Sequence, residues 1–379
     1  MTALSRLDRS LLSRWWWSVD RPSFLIVAAI VFVGFILQLA AGPAAAARLH
    51  IDNGFHFPLR QAVFLPAAAA LVVGVSMLTP LQARRVGVLA FVGAFACALA
   101  VLVAGAEING ARRWMSFGAF SLQPSEFLKP GFVVVAAWML SEAARRPGFP
   151  GAPIAMALYL ASAALLVMQP DYGQAALLTA VWMLMFFIAG WSWLWIGGLG
   201  AIGLAALYGG YRFSPHVSRR IDGFVNPSGA ESYQVDRSLE AIRNGGFFGR
   251  GGDVPPVKDQ LPDAHTDFIF AVAAEEFGYF FGLLILALYA ALLLRLYLRA
   301  AALKSVFAQC AACGLAAMVG LQAVINVGVS MRALPAKGMT LPFVSYGGSS
   351  LLAMGLSLGL AFALTRRARP AVTRREMMA

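Results

Sequence analysis

Long apolar segments separated by short polar ones dominate the hydrophobic pattern of this chain. The segments run for about 20 residues without alternation, which predicts bilayer-crossing helices rather than strands. Because backbone groups in lipid must be paired internally, we expect an all-α polytopic membrane protein. The pattern predicts ten spans, near residues 23–41, 61–79, 86–105, 127–143, 152–168, 172–190, 192–210, 266–294, 306–329 and 345–365.

The placement of arginine and lysine predicts the orientation. Short basic segments around Arg14, Arg84, Arg145, Arg299 and Arg366 all face the cytoplasm if the N-terminus lies inside. Both termini are then cytoplasmic, and the longest loop, 211–265, is extracytoplasmic. The expected organisation is a cytoplasmic segment 1–22, a ten-helix membrane domain 23–365 and a basic tail 366–379. The GPAAAA run at 42–47 imitates a signal-peptide cleavage site, but an uncleaved first helix is the favoured interpretation.

Composition narrows the class of protein further. The chain is 60% hydrophobic and 13% charged, with a mean hydropathy of +0.72, which excludes an ordinary soluble domain. The net charge of +12 is typical of basic cytoplasmic loops facing anionic lipid, and does not indicate nucleic-acid binding. Cys310 and Cys313 have metal-like spacing, but no second Cys or His pair completes a zinc site, so helix packing is favoured.

Four polar clusters fall on the predicted outer face. The first is NGARRWMSFGAFSLQPSEFLK, 109–129, where Ser125 is a candidate N-cap of the fourth span. Two interpretations stay open: helix capping with snorkelling arginines, or a site for an anion. The second cluster is QPDYGQ, 169–174, where Asp171 either caps the sixth span or joins a site.

The third cluster ends the long loop and begins the eighth span. In LPDAHTDFIFAVAAEEFG we expect Thr266 to cap the helix and Asp267 to be its first residue. Capping explains an Asp here, but not the neighbouring His265. On a continuous helix Glu275 lies about 80° round from Asp267 and about 12 Å deeper, with Glu276 on the opposite side. Both glutamates therefore cannot join Asp267 in one site, and a structural ion pair is the favoured interpretation.

The fourth cluster is NVGVSMRALPAKGMTLPFVSYGGSS, 326–350. At membrane depth, backbone interrupted by Pro and Gly is tolerated only where it packs against protein or lines a water-filled cavity. Lys337 adds an external cation, and Gly347 and Gly348 could present N–H groups to an anion. A tight turn with small-residue packing is the alternative interpretation.

Together the clusters resemble the SEDS family (shape, elongation, division and sporulation) of membrane-embedded glycosyltransferases. The matching stretches are GARRWMSFGAFSLQPSEFLK, QPDYGQA, NPSGAESYQVDRSLEAIRNGGFFGRGG, LPDAHTDFIFAVAAEEFG and LPAKGMTLPFVSYGGSSL. They occur in the family's order and cover residues from about 105 to 365. LPAKGMTLPF is similar to the cell-division (FtsW-like) branch.

The resemblance implies an activity and its residues. The implied function is polymerisation of lipid II, an undecaprenyl-diphosphate disaccharide-pentapeptide, at the outer face of the inner membrane during septal synthesis. Asp267 carries over as the essential aspartate, which we interpret as a general base. The substrate-binding candidates are Arg112, Arg113, Gln123, Glu126, Lys129, Asp171, His265, Lys337, Ser345 and Ser349. The structural candidates are Glu275, Glu276 and Asn326.

The resemblance also implies a class B penicillin-binding protein transpeptidase as partner, together with other division proteins. No cofactor is certain from the sequence, and a divalent cation, Mg²⁺ or Mn²⁺, is a candidate to stabilise the leaving diphosphate together with Arg113, Lys129 or Lys337. Two rival functions stay open. A flippase or transporter would need a polar path through the membrane centre, and a scaffold would leave the polar clusters unused.

Overall fold

The computed structural model describes residues 10–108, 111–118, 120–191, 193–213, 218, 222, 230–251, 255–335 and 338–367. Over these residues the chain forms helices and one small sheet. The twelve described helices are α1 (Leu11–Ser18), α2 (Arg21–Arg48), α3 (His56–Ser76), α4 (Pro80–Ala104), α5 (Pro124–Arg145), α6 (Gly151–Met168), α7 (Tyr172–Ile188), α8 (Trp193–Phe213), α9 (Ala230–Gly245), α10 (Ile269–Ala301), α11 (Val306–Ser330) and α12 (Gly348–Thr365).

Each of the ten predicted spans corresponds to a helix, α2–α8 and α10–α12. Among the described helices, eight are long and apolar enough to cross a membrane, and α7 is a shorter apolar helix of 17 residues. The expected all-α polytopic fold is confirmed. Helices α5, α11 and α12 form the buried centre, and the other spans pack around them with leucine and phenylalanine side chains facing lipid.

Within the N-terminal segment, Leu11–Ser18 form a helix, α1, which the sequence analysis did not predict. Ser10 caps it, and the Trp15 Nε1 donates to Ser76 Oγ at 2.8 Å. Asp20 follows and accepts from Arg295 and Arg299 at distances of 2.5 to 2.9 Å. These arginines hold the pKa of Asp20 well below its usual range against the effect of burial. The segment is thus fixed to the basic end of the helix bundle.

A three-stranded antiparallel sheet leads into α5 and was also not predicted. Its strands are β1 (Ala106–Ile108), β2 (Ala111–Phe117) and β3 (Phe120–Leu122), in the order β1-β2-β3. Pro124 at the first position of α5 suits a helix start, because its missing N–H needs no partner there. The predicted Ser125 cap is wrong: Gln123 occupies the N-cap position, and Ser125 lies inside the helix.

Helix α10 breaks at Gly278, whose φ is 83°. The loop after α9 docks on this break, with Tyr279 N donating to Gly246 O at 2.8 Å and Arg250 N donating to Glu275 O at 2.7 Å. Residues 269–277 are therefore a short helical piece ahead of the main span. The predicted cap is wrong here too, because 262–268 form turns and Phe268, not Thr266, is the N-cap.

The segment between α11 and α12 enters the bundle without regular structure. Tyr289 donates its hydroxyl to the Pro342 carbonyl, and Gln38 Nε2 donates to Val344 O at 3.2 Å. A Cβ on Gly34 would lie 2.4 Å from Phe343 O, so a glycine is required for this approach. The irregular backbone is buried against protein, as the sequence analysis expected of such a segment.

Candidate active site

A cavity of about 570 Å³ lies at the outer end of the bundle. It is bounded by the start of α3, the sheet with the start of α5, the turn before α10 and the start of α12. The described residues that line it are Arg60, Val63, Phe64, Arg113, Trp114, Ser121, Gln123, Glu126, Asp263, Thr266, Asp267, Gly338, Thr340, Tyr346, Gly347, Gly348, Ser349 and Ser350. Three of the four polar clusters, distant in sequence, therefore line one cavity, and the second, 169–174, lies behind it, in contact with Arg113 and Gln123.

Asp267 lies on the wall of this cavity. Asn326 Nδ2 donates to the backbone carbonyls of Asp267, at 2.8 Å, and of Met339, at 2.7 Å, which joins the two segments. Gly338 approaches so closely that a Cβ there would lie 3.2 Å from Asp267 Oδ2. Burial, and then the negative charge of Asp263, raise the pKa of Asp267 to about 7. The carboxylate can therefore accept a proton near neutral pH.

Two arginines line the cavity. Arg113 is anchored: its Nε donates to Gln169 O at 2.9 Å, and its Nη2 donates to the Pro170 carbonyl. Arg60, on the first turns of α3, is exposed at the cavity. The sequence analysis did not single out Arg60. The available signal was the same as for Arg113, an arginine at the outer end of a membrane span.

The N-terminus of α12 also faces the cavity. Gly347 is the N-cap, and Gly348, Ser349 and Ser350 form the first turn. Ser349 Oγ donates to Ser121 O at 3.0 Å and accepts from Gln123 N at 3.1 Å, which ties the helix start to the sheet. First-turn N–H groups and the helix dipole make this a favourable position for an anion.

Lys129 does not line the cavity. It is fully buried beneath it and bonds to Glu126 Oε2 at 3.0 Å, Gln174 Oε1 at 2.7 Å and Gln322 Oε1 at 3.2 Å. Gln322 Nε2 in turn donates to Thr340 O at 3.1 Å. A charge buried in this way is stable only when it is paired, so Lys129 supports the cavity floor and is not an available cation.

Asp171 sits at the N-cap position of α7, but its side chain makes no capping hydrogen bond. Its Oδ2 instead accepts from Gln123 Nε2 at 3.4 Å. Burial raises the pKa of Asp171, and the positive charge of Arg113 opposes that shift. The backbone N–H of Gln174, in the first turn of α7, also favours the ionised carboxylate, so Asp171 combines a helix-start position with a place in the polar network behind the cavity.

Three other candidates lie away from the cavity, and one lies outside the described residues. Arg112 is exposed and pairs with Glu107 at 3.5 Å. His265 is buried between Phe57 and Tyr346, and burial lowers its pKa to about 4, so the ring is neutral at pH 7. Ser345 Oγ accepts from Leu341 N at 2.8 Å and donates to Thr266 O at 2.5 Å. Lys337 lies outside the described residues.

Glu275 and Glu276 hold the long loop rather than joining the cavity. Glu275 accepts from Val257 N at 2.5 Å and Lys258 N at 2.9 Å. Glu276 pairs with Lys258 Nζ at 3.0 Å and with Arg250 at 3.7 Å. They are not two turns deep in a continuous span, because the break at Gly278 separates them from it. The expectation that they cannot share a site with Asp267 agrees with this geometry.

An apolar groove of about 390 Å³ runs between α2 and α3. Leu65, Ala68 and Val72 of α3 line it, together with Phe343. Val63 and Phe64, from the same stretch of α3, line the polar cavity. A polar site and an apolar groove thus share one helix, an arrangement suited to a ligand with a charged head and a long apolar tail.

The chain is similar to known proteins over nearly its whole length. A family model described as "Cell cycle protein", FTSW_RODA_SPOVE, matches residues 21–369. The chain is 45% identical over 365 residues to the "Probable peptidoglycan glycosyltransferase FtsW" of Caulobacter vibrioides, covering 96% of this chain and 94% of that protein. It is 33% identical to the stage V sporulation protein E of Bacillus subtilis, covering 93% and 98% of the two chains.

Solved structures agree with the sequence comparison. A chain of a peptidoglycan synthase complex superposes with a TM-score of 0.76 at 30% identity, covering 92% of this chain and 97% of the other. The rod shape determining protein RodA of Thermus thermophilus superposes with a TM-score of 0.68 at 29% identity and the same coverage. The chain therefore belongs to the FTSW_RODA_SPOVE family of cell cycle proteins, and within that family it is FtsW-like.

Proposed function

We propose that this protein is a peptidoglycan glycosyltransferase that polymerises lipid II at the outer face of the cytoplasmic membrane during septal wall synthesis. One observation carries the proposal. A carboxylate with a pKa of about 7 shares a cavity with Arg60, Arg113 and the N-terminus of α12. Relatives named as peptidoglycan glycosyltransferases, at up to 45% identity over nearly the whole chain, support it.

The proposed reaction joins the acceptor sugar to the growing strand. The 4-hydroxyl of the lipid II GlcNAc attacks the anomeric carbon of the strand, whose bond to the diphosphate oxygen breaks. Asp267 accepts the hydroxyl proton as the new bond forms, and a pKa near the working pH suits that role. Undecaprenyl diphosphate leaves. Direct displacement inverts the anomeric centre and gives a β-linked product.

Negative charge on the departing diphosphate needs stabilisation. Arg60 and the first-turn N–H groups of α12 face the cavity where that charge would develop. Arg113 is fixed by two backbone carbonyls, so it contributes charge without reorganising. The polyprenyl tail is assigned to the apolar groove between α2 and α3.

A divalent cation finds little support in the protein alone. Among the described residues, no group of three or more His, Cys, Asp or Glu side chains is arranged to hold a metal ion.

The partner proposed is a class B penicillin-binding protein, supported by the superposition on a chain of a peptidoglycan synthase complex. The flippase alternative receives less support. Beneath the Lys129 network, α5 continues as Phe132–Ala137, in which every residue is apolar and buried. A polar path through the membrane centre is not built from these residues.

The test is Asp267→Asn in the full chain, purified with its class B partner and supplied with labelled lipid II. Loss of a general base is expected to lower the polymerisation rate by roughly 10²–10⁴-fold. Asp259→Asn, a nearby exposed aspartate outside the cavity, is the matched control and should retain activity.

Turnover retained by Asp267→Asn would reduce the aspartate to a structural role. Proteoliposomes loaded with labelled lipid II separate the alternatives, because a polymerase forms polymer, a flippase moves lipid and a scaffold does neither.

A further inference from the structure

A second cavity, of about 610 Å³, lies at the opposite, cytoplasmic end of the bundle. It is formed by α1, the turn between α3 and α4, and the end of α12. The proposed chemistry does not use it. We refer to it as the cytoplasmic pocket.

The described side chains that line the cytoplasmic pocket carry only positive charge. Arg14, Arg366 and Arg367 line it, and no acidic side chain is among its described lining residues. Arg366 is held in place, because its Nη2 donates to Leu78 O at 2.7 Å. Arg367 N donates to Ser18 O at 3.1 Å, which joins the end of α12 to α1. Asp20, the acid that follows α1, is already bound by Arg295 and Arg299.

The same pocket has an apolar side and a helix N-terminus. Leu11, Leu78 and Leu364 line it, and Leu11 is largely exposed. Thr79, the N-cap of the 25-residue helix α4, also lines it. Its hydroxyl already accepts from Gln82 N and Pro80 has no N–H, so the helix start adds only the positive end of its dipole to this space. Trp15, anchored to Ser76, marks the membrane interface.

We propose that the cytoplasmic pocket binds the phosphate headgroup of an anionic phospholipid of the cytoplasmic leaflet. The arginines hold the phosphate, and the exposed Leu11 contacts the glycerol and the first acyl carbons. Cationic pockets between membrane helices on the cytoplasmic side suit such headgroups. A free anion accounts for the arginines but not for the exposed Leu11 beside them, so the lipid is the favoured occupant.

The experiment compares two doubly substituted full-length proteins that lose the same charge on the same face. Arg14→Gln with Arg367→Gln removes two pocket arginines whose side chains are exposed. Arg85→Gln with Arg145→Gln removes two exposed cytoplasmic arginines outside the pocket. Each protein is titrated with phosphatidylglycerol or phosphatidylcholine in detergent, and bound lipid is counted by native mass spectrometry. Equal melting temperatures establish that both variants fold.

The pocket variant should bind phosphatidylglycerol roughly tenfold or more weakly than the wild type, while the control pair changes little. A photoreactive phosphatidylglycerol should label peptides containing 11–18 and 77–82. Equal weakening in both pairs, or equal affinity for phosphatidylcholine, would overturn the proposal. Displacement of the lipid by millimolar inorganic phosphate would show a simple anion site and overturn it as well.

Discussion

The raised pKa of Asp267 has a cost in folding stability. Its pKa in the folded chain, about 7, is above the ordinary aspartate value of 3.8, because burial and Asp263 both disfavour the ionised form. An acid with a raised folded pKa makes the protein less stable as the pH rises from about 4 to about 7. Asp267→Asn escapes that loss, so its melting temperature at pH 8 should not fall below that of the wild type. Stability is thus given up at the residue to which we assign the general-base role under the proposed function.

The pH dependence of turnover follows from the same residue. A general base must be ionised, so the rate should rise with pH and level off above about 7. Asp263→Asn removes a neighbouring negative charge and should move the rising limb to lower pH. Asp263 is exposed, so water screens it and the shift should be below about one pH unit. Its φ of 53° is a conformation that Asn tolerates well.

Rate profiles of the wild type, Asp263→Asn and Asp259→Asn over pH 5–9 make the comparison. If the rising limb of the Asp263→Asn profile stayed at the wild-type pH, that limb would not report the ionisation of Asp267 beside Asp263.

Arg60 and Arg112 form a natural pair for testing the anion site. Both are exposed on the outer face, but only Arg60 lines the cavity, while Arg112 pairs with Glu107. Hydrogen bonds to charged groups are worth about 1.5–3 kcal/mol. Arg60→Gln should therefore raise the KM for lipid II by about tenfold or more. Arg112→Gln loses an exposed ion pair and should stay close to the wild type. Equal effects of the two substitutions would assign no special role to Arg60.

The sequence predicted the cavity residue Asp267 correctly, but not the environment of the buried Lys129. Asp267 was predicted from a motif, and the structure places it on the cavity. Lys129 was predicted as an available cation, yet it is sealed among Glu126, Gln174 and Gln322. Two of these partners lie 45 and 193 positions away. Sequence spacing cannot reveal such pairing, because it depends on how distant helices pack.

Among the elements, the broken helix α10 determines most of the outer face. A Cβ on Gly278 would lie 2.3 Å from Phe247 O, and one on Gly245 would lie 1.8 Å from Ala274 O. The glycines let the backbone of the loop after α9 approach the backbone of the break closely. The break separates the acidic pair, Glu275 and Glu276, from the main span and allows both to bind the long loop.

Alanine substitution tests this docking. Gly278→Ala meets both a clash and a strained φ of 83°, and Gly245→Ala meets a backbone clash. Each should destabilise the fold by at least about 1–3 kcal/mol, seen as a lower temperature of aggregation in detergent. Gly251→Ala is the control, because no atom lies within 4 Å of its Cβ position. If Gly278→Ala melted at the same temperature as the control Gly251→Ala, docking of the loop would not stabilise the break.

Elements were predicted where hydrophobic length decides them and missed where it does not. Strands of three to seven residues, β1–β3, leave no clear period within a polar segment. Helix α1 was hidden because its three tryptophans matched an interfacial belt equally well. The break in α10 was missed because the hydropathy of the segment is continuous across Gly278, whereas its cause is a loop docked from elsewhere.

At the scale of the whole molecule, its two ends differ in kind. The outer end gathers three of the four sequence clusters around one cavity, with the second cluster packed behind it. The cytoplasmic end carries arginines and the N-terminal helix. Hydropathy and the positive-inside rule predicted this polarity, since both depend on composition alone. The shape of the cavity could not be predicted, because it arises from contacts between segments more than 200 residues apart, such as Gln123 with Ser349.

The sealed floor beneath the cavity has an energetic consequence. Lys129 and its three partners are buried and mutually satisfied, and apolar helix faces continue below them. If Asp267 acts as proposed, the proton that it takes up returns to the external medium. We therefore expect glycan synthesis at this site to be independent of the proton-motive force and to be driven by cleavage of the diphosphate linkage.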